Sequence, residues 1–309
     1  MVVYEVFSHS VHTKYKTTIC SKATIYYVVS TFFMITLPFI IAYRTEGFWK
    51  KIEFYREQPQ VKFKHELVLI VETGEDNLLF WSSCPRLNEI TYQNIRIPLI
   101  TNREDDVNRD GKNDILNIKL DVPVTSKENV HSIKLMLFFE YKLYLYSEFI
   151  MEGLAYIHHS SPLPGASLSV VGDLALNQKE PLNHKGHDVR FNTPVVNPSS
   201  TNIDDYRLES ILSSYASRSV TTYLKHSYPV WTTGRGDNSP FTVNITIFYP
   251  EQIIVYKTGF WQLLKWGWAQ YIPIFLVFLY IFHHINIFIF RTQLVSTVTE
   301  NSVLNNKHK

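Results

Sequence analysis

Two long apolar stretches bracket a central region in which apolar and polar residues alternate. The first stretch runs from Ala23 to Tyr43 and the second from Trp266 to Phe290, and neither contains a charged residue. A helix that crosses a bilayer needs about 20 consecutive, mostly apolar residues. Both stretches reach that length, so the pattern predicts two transmembrane helices.

A cleaved signal peptide is the alternative interpretation of the first stretch. The apolar core of a signal peptide has about 7–15 residues and is followed by small residues. Here the run is longer and is followed by Arg44 and Glu46. We therefore favour a retained span.

The central region alternates with the period of two that is typical of half-buried strands. Two long runs of one parity stand out: Val61, Phe63, His65, Leu67, Leu69 and Val71, and then Ile133, Leu135, Leu137, Phe139, Tyr141, Leu143 and Leu145. Shorter strand candidates are Ile95 to Ile100, Ile115 to Val122, Leu168 to Leu174, and Phe241 to Tyr249. Many short strands separated by turns favour a sandwich of antiparallel sheets.

One helix is predicted within this region, with Asn202 or Asp204 as its cap and Leu208, Ile211, Leu212 and Tyr215 on one face. The expected fold is a membrane protein in which two transmembrane helices flank an all-β, sandwich-like extracytosolic domain with one short helix. The predicted segments are a cytosolic head (1–22), a first span (23–43), the β-rich domain (44–265), a second span (266–290) and a cytosolic tail (291–309).

The two ends of the central region carry the same aromatic signature, Gly47-Phe48-Trp49 and Gly259-Phe260-Trp261. Tryptophan concentrates at the level of lipid headgroups. The predicted membrane-interface anchors are therefore Trp49, Trp261, Trp266 and Trp268.

Basic residues flank both sides of the first span and do not decide its orientation. The central region does contain a glycosylation sequon at Asn244-Ile245-Thr246, whereas Asn197-Pro198-Ser199 is blocked by its proline. We therefore expect an extracytosolic central domain, a glycan on Asn244 and two cytosolic termini.

Charge and composition exclude several classes of protein. The chain has 30 Lys and Arg, 28 Asp and Glu and no basic cluster, so it carries no electrostatic footprint for nucleic acid. Cys20 and Cys84 lie on opposite sides of the predicted first span, which excludes an internal disulfide. Cys20 is either a plain interfacial thiol or a palmitoylation site. No catalytic constellation stands out, so neither an enzyme nor a small-molecule substrate is expected.

The sequence Asp106-Val-Asn108-Arg-Asp110-Gly111-Lys112-Asn-Asp114 has the spacing of a calcium loop. Alternate side chains of such a loop converge on one ion, with Asp106, Asn108, Asp110 and Asp114 as side-chain ligands and Lys112 in the position that offers a carbonyl. Position 12 is Asn117 instead of glutamate, and the flanks read as strands, so this is not an EF-hand. Calcium is thus the one candidate cofactor, and a polar hairpin turn without an ion is the alternative.

Two other motifs have ordinary interpretations. Arg235-Gly236-Asp237 is an integrin-type tripeptide, but Gly, Asn, Ser and Pro around it are typical of any exposed turn. Histidines recur as His158-His159, as His184 with His187, and as His283-His284, without a third ligand at metal spacing. His283, His284 and Asn286 fall within the second span, where polar groups either face protein or mark the interface.

Short strings occur in a characteristic order along the chain: Tyr4-Glu5, Phe7-Ser8-His9, Cys20-Ser21-Lys22-Ala23, Gly47-Phe48-Trp49, Glu57-Gln58-Pro59, Arg103-Glu104-Asp105 before the aspartate-rich loop, Pro162, Pro164-Gly165, Gly172-Asp173-Leu174, Gln178-Lys179, Pro181-Leu182, Gly259-Phe260-Trp261, Lys265 and Gln270-Tyr271. In the order and spacing of these strings, the whole chain resembles the transmembrane protein 231 family. The single sequon and the Arg-Gly-Asp tripeptide are departures from that family's pattern.

This resemblance implies a structural, two-pass component of the Meckel syndrome, or tectonic-like, complex in the membrane of the ciliary transition zone. It implies a role in a diffusion barrier that controls ciliary membrane composition, in ciliogenesis and in Hedgehog signalling. The implied partners are the bilayer, tectonic proteins, meckelin and other members of that complex. The alternatives are an accessory subunit that escorts a transporter and an adhesion ligand that uses Arg235 to Asp237.

Overall fold

The computed structural model describes residues 13–45, 50–74, 77–90, 94–200 and 202–301. The chain forms two compact units, one of residues 1–51 with 259–309 and one of residues 52–258. The helices are α1 (Lys22–Arg44), α2 (Pro85–Ile90), α3 (Leu208–Ser217) and α4 (Phe260–Arg291), with a 3-10 turn at Ile203–Tyr206. The strands are β1 (Thr13–Lys16), β2 (Ile52–Glu57), β3 (Gln60–Thr73), β4 (Asn77–Ser82), β5 (Leu99–Asp105), β6 (Ile115–Val122), β7 (Val130–Leu143), β8 (Glu148–Ser160), β9 (Gly165–Gln178), β10 (His187–Phe191), β11 (Val220–Thr233), β12 (Phe241–Phe248), β13 (Gln252–Lys257) and β14 (Val298–Asn301).

The first unit contains two helices that are long and apolar enough to cross a membrane, α1 and α4. The α4 helix has 32 residues and begins at Phe260, six residues before the predicted span. At about 1.5 Å per residue it is roughly 48 Å long, which exceeds the ~30 Å hydrocarbon core. Part of α4 therefore extends beyond the hydrocarbon.

The second unit is a β-sandwich. One sheet has the strand order β10-β8-β7-β3-β4 and the other has the order β11-β9-β12-β6-β5. Their facing side chains form one core, to which the first sheet contributes residues such as Leu135 and Phe139 and the second sheet residues such as Leu120 and Ile245. This agrees with the predicted sandwich, but the expected antiparallel pairing is wrong for two strand pairs. β10 pairs with β8, and β12 with β9, in parallel.

The first sheet is buried on both faces. Its outer face carries a second apolar cluster, in which Met136 and Phe138 pack with Ile211 and Tyr215 of α3. Strands buried on both faces lose simple alternation, which is why the middle of β7, from Leu135 to Phe139, is a continuous apolar run although its ends alternate. The cap prediction needs correction: Asn202 Oδ1 accepts from the Asp204 N–H of the 3-10 turn, whereas Arg207 precedes α3 without a side-chain cap.

Three sequence predictions within the sandwich differ from the structure. His65 has a φ of 59° and is exposed, because a bulge shifts the β3 register between Phe63 and Leu67. Leu145 is exposed, since β7 ends at Leu143. The strand predicted from Ile95 to Ile100 instead runs from Leu99 to Asp105. Helix α2 was not predicted.

Candidate functional site

In the first unit, α1 and α4 form an antiparallel pair joined by side-chain hydrogen bonds. Ser21 begins α1 by accepting from the Thr24 N–H with its hydroxyl oxygen. Within the pair, Asn286 Oδ1 of α4 accepts from both Tyr26 Oη and Ser30 Oγ of α1, each at 3.0 Å. Hydrogen bonds across helices stabilise membrane pairs because hydrocarbon offers no substitute partner.

Small residues let the two helices approach closely. The buried positions of α1 are Ala23, Ser30, Pro38 and Ala42, and Gly267 is buried on α4. Lipid tails are as apolar as leucine, so helices in a membrane associate through close packing instead of hydrophobic burial. Toward the opposite end of the pair from Asn286, Tyr271 Oη donates to the Ile35 carbonyl at 3.3 Å. The two spans therefore pack as an antiparallel pair.

The polar residues predicted inside the second span separate into two kinds. Asn286 faces the first helix through the hydrogen bonds above. His283 and His284 are exposed, and the His284 ring lies 3.2 Å from the Tyr280 carbonyl through Nδ1. Only the asparagine thus fits the interpretation that polar residues in a span face protein.

The predicted interfacial tryptophans lie near the start of α4. Trp261, Trp266 and Trp268 are all exposed. The Lys50 ammonium lies 5.1 Å from the centroid of the Trp266 ring, in the geometry of a cation–π contact. Trp49 lies outside the described residues. Their role as anchors stays a prediction.

The first and last strands of the described residues, β1 and β14, pair in a short antiparallel ladder. An ion pair between Lys16 and Glu300 and a ring contact of 5.6 Å between Tyr15 and Phe290 accompany it. A ladder requires both strands to be on the same side of a membrane, which agrees with an even number of crossings. The ladder has no signal in the sequence, because four-residue strands have no distinctive pattern.

The aspartate-rich segment closes the turn between β5 and β6. Asp106 accepts the amides of Arg109 and Gly111 at 2.6 and 2.9 Å, and Gly111 supplies a φ of 86°. The Asp110 carboxylate accepts the Lys112 amide at 2.9 Å. The Lys112 ammonium in turn donates to the Gln58 carbonyl at 2.7 Å. The turn is therefore closed by its own donors.

Asp114 joins this turn to the segment between β2 and β3. Its Oδ2 accepts the amides of Val107 and Asn108 at 2.8 and 3.2 Å, and its Oδ1 accepts from Gln58 Nε2 at 2.7 Å. The hydrogen bond from Gln58 is the main cause that lowers the pKa of Asp114; burial opposes it, and the amides of Val107 and Asn108 lower the pKa further. Among the described residues, these aspartates included, no three His, Cys, Asp or Glu side chains form a group that could hold a metal. Calcium binding stays a prediction.

The Arg-Gly-Asp tripeptide lies after β11 in a turn that the Ser239 amide closes onto the Gly236 carbonyl. The Arg235 guanidinium donates to three backbone carbonyls, those of Val124, Thr125 and Glu128, at 3.3, 2.7 and 2.8 Å. An arginine held in this way tethers the turn to the segment between β6 and β7. The geometry favours a structural turn over an adhesive one.

Asn244 lies on β12, the central strand of the second sheet. Its side chain is exposed on the outer face, with Lys119 and Ser169 as its register partners on either side. The sequon hydroxyl of Thr246 donates to Asn117 Oδ1 at 3.0 Å. Asn244 is therefore accessible to solvent in the folded domain, and its glycosylation stays a prediction.

A buried ion pair in the sandwich has no signal in the sequence. Lys64 Nζ lies 2.5 Å from the Glu152 carboxylate, which is 6% exposed and also accepts the Val195 amide at 2.8 Å. Burial lowers the pKa of Lys64, but the hydrogen bonds and negative charges of Glu152 and Glu66 together outweigh that effect and raise it. The pair lines a cavity of about 210 Å³ together with Cys84, which is a free thiol, as is Cys20.

Comparison with known proteins agrees with the architecture described above. A family model described as transmembrane protein 231 matches residues 1–299. The chain belongs to this family. Relatives named transmembrane protein 231 occur in Gallus gallus, at 42% identity over 98% of this chain and 96% of the relative, and in Homo sapiens, at 40% over 96% and 95%. The Xenopus tropicalis protein is 42% identical over 97% and 96%. No solved structure matches the chain significantly.

Membership of the transmembrane protein 231 family fits the two candidate spans and the β-rich unit between them. The match covers both helices and the whole sandwich, since it begins at residue 1 and ends within β14. The chain is therefore a membrane protein whose largest part is a β-sandwich.

Proposed function

We propose that this protein is a structural component of the membrane complex of the ciliary transition zone. In this role it contributes to a diffusion barrier that controls which membrane proteins enter the cilium, and so to ciliogenesis and Hedgehog signalling. The observation that carries the proposal is family membership along nearly the full length of the chain. A pair of packed transmembrane helices in one unit and a β-sandwich in the other suit a scaffold.

In the proposed topology, the sandwich is extracytosolic and both termini are cytosolic. The exposed sequon at Asn244 supports the first point, and the pairing of β1 with β14 supports a common side for the termini. The proposed partners are the bilayer, tectonic proteins, meckelin and other members of the Meckel syndrome complex. The proposal includes no enzymatic step and no cofactor.

The test is localisation and rescue in ciliated cells that lack their own copy of the protein. A tagged full-length chain should concentrate in a narrow zone at the ciliary base and restore the exclusion of non-ciliary membrane proteins. The matched control carries Phe288→Leu, a lipid-facing change in α4 that keeps the span apolar. Diffuse plasma-membrane signal that follows a transporter would support the accessory-subunit alternative instead.

Proximity labelling tests the partners separately. With the labelling enzyme on the extracytosolic side, tectonic proteins and meckelin should be enriched over a membrane protein of similar abundance. Correct localisation without such enrichment would contradict the proposed partners and leave the location intact.

A further inference from the structure

A two-stranded ribbon in the sandwich unit has an exposed apolar face. The ribbon consists of β2 and β13, paired antiparallel from Ile52 opposite Lys257 to Glu57 opposite Gln252. We propose that its outward face docks on the lipid bilayer, with its apolar side chains at the boundary of headgroups and acyl chains and its cations on lipid phosphates.

The two faces of the ribbon differ sharply. The inward residues Tyr55, Ile254 and Tyr256 are buried in the core of the sandwich. On the outward face, Ile52, Phe54 and Ile253 are 52%, 63% and 57% exposed. Large apolar side chains exposed on one contiguous face mark an interaction surface.

The ribbon is a rigid part of the sandwich. Tyr146, from the segment after β7, lies 5.0 Å from the Tyr55 ring and 5.4 Å from the Tyr256 ring. On the other side, the Leu182 amide donates to the Val255 carbonyl at 3.0 Å, and the Lys257 amide donates to the Leu182 carbonyl at 2.8 Å. Docking of the ribbon would therefore orient the whole domain.

Charge on the outward face favours a lipid surface as its partner. Arg56 is the register partner of Ile253, and Lys257 is the register partner of Ile52, so each end of the face carries one exposed cation beside an exposed isoleucine. The six outward positions of the two strands include no acidic residue. Apolar side chains together with Lys and Arg are what interfacial membrane segments use to bind lipid.

Chain connectivity keeps the ribbon near the bilayer. Two residues, Thr258 and Gly259, separate Lys257 from the start of α4. Successive Cα atoms are about 3.8 Å apart, so the three steps from Lys257 to Phe260 limit the distance between their Cα atoms to about 11 Å. On the other strand, Lys50 precedes Ile52 by two residues, and the Lys50 ammonium contacts the Trp266 ring of α4. Both strands are thus tied to a membrane helix at the same end of the ribbon.

Fluorescence quenching in nanodiscs that hold one full-length copy tests the proposal. Single cysteines replace Phe54 and Ile253 in a Cys20→Ser, Cys84→Ser background, and each is labelled with an environment-sensitive dye. Lipids with a quencher on the acyl chain should reduce emission from both labels at least twofold more than from a control label at Asn244→Cys. That control position is exposed on the outer face of the second sheet.

Equal, weak quenching at all three positions would overturn the proposal. Shielding of both ribbon labels from a water-soluble quencher without lipid quenching would overturn it as well, because the face would then be covered by protein. Melting temperatures of the labelled proteins show whether they are folded, and Ile52→Cys supplies an independent site if Phe54→Cys is not. One copy per nanodisc excludes a second copy as the occupant.

Discussion

At the scale of single residues, Tyr215 shows how α3 is fixed to the sandwich. Its Oη accepts the amides of Leu154 on β8 and Thr222 on β11 at 3.1 and 2.7 Å. The Thr222 hydroxyl lies 2.9 Å from the same oxygen and also donates to the Leu154 carbonyl at 3.0 Å. Gly153 leaves the space, since a Cβ there would lie 2.8 Å from Thr222 Oγ1.

The substitution Tyr215→Phe should destabilise the protein by about 1–3 kcal/mol, because it leaves the buried Thr222 amide without the acceptor it has in Tyr215, whereas the Leu154 amide keeps Thr222 Oγ1 at 2.7 Å. Urea unfolding of the full-length protein in detergent measures the loss. The control is Tyr223→Phe, since that ring is 46% exposed, and it should change stability by less than about 0.5 kcal/mol. Equal effects of the two variants would contradict the assigned network.

Asp114 gives the turn between β5 and β6 a pH dependence. Its folded pKa lies below the ordinary value, because Gln58 and two amides donate to its carboxylate. Its contribution to stability is complete above its unfolded pKa of about 3.9 and is lost as the pH falls through the lower folded value. The stabilising form is thus the carboxylate.

The variant Asp114→Asn should therefore melt at a lower temperature than wild type at pH 7, by an amount that corresponds to about 1 kcal/mol. The difference should shrink as the pH is lowered below 4. Melting curves at both pH values provide the measurement. A difference that stays constant with pH would show that the charge of Asp114 does not stabilise the turn.

At the scale of elements, the sequence predicts best where one periodicity dominates. The strand from Ile115 to Val122 is confirmed because its partners leave one face buried and one exposed. The long strands β8 and β11 could not be predicted from the sequence, since β8 is buried on both faces and much of β11 is exposed. Neither environment produces alternation.

The candidate sites show the same limit. The apolar spans follow from length and composition alone. The contacts of Asn286 with Tyr26 and Ser30 join residues about 260 positions apart, and no local pattern signals such contacts. The ion pair of Lys64 and Glu152 likewise has no signal in the sequence, because the two residues lie far apart along the chain. By contrast, the Asp106 to Asp114 turn could be recognised because its residues are contiguous.

The variant Asn286→Leu tests the helix pair, because it removes the acceptor of two hydrogen bonds between helices while keeping the span apolar. We expect a loss of about 1 kcal/mol in the association of the helices, in line with hydrogen bonds measured in membranes. Unfolding in bicelles by added SDS measures it, with Phe288→Leu as the lipid-facing control. If Asn286→Leu unfolds with the same curve as wild type, the hydrogen bonds to Asn286 do not stabilise the helix pair.

At the scale of the whole molecule, the sandwich lies between the two predicted spans along the chain, a few residues after α1 ends and a few residues before α4 begins. Glycosylation reports on the side of the membrane that the sandwich occupies. When the wild-type protein is made in cells and then treated with an enzyme that removes N-linked glycans, its gel mobility should increase. The variant Asn244→Gln should lack that shift, whereas Asn197→Gln should retain it, because Pro198 blocks the second sequon. An unchanged shift in Asn244→Gln would show that the glycan is not on Asn244.

The central claim is that both helices cross the membrane and place the sandwich on the outside. Protease added to intact cells that display the protein, tagged at each terminus, tests this claim directly. The account predicts that the sandwich is cut in its exposed loops while both terminal tags stay protected until the membrane is permeabilised. Cleavage of either tag in intact cells, with the sandwich spared, would contradict it.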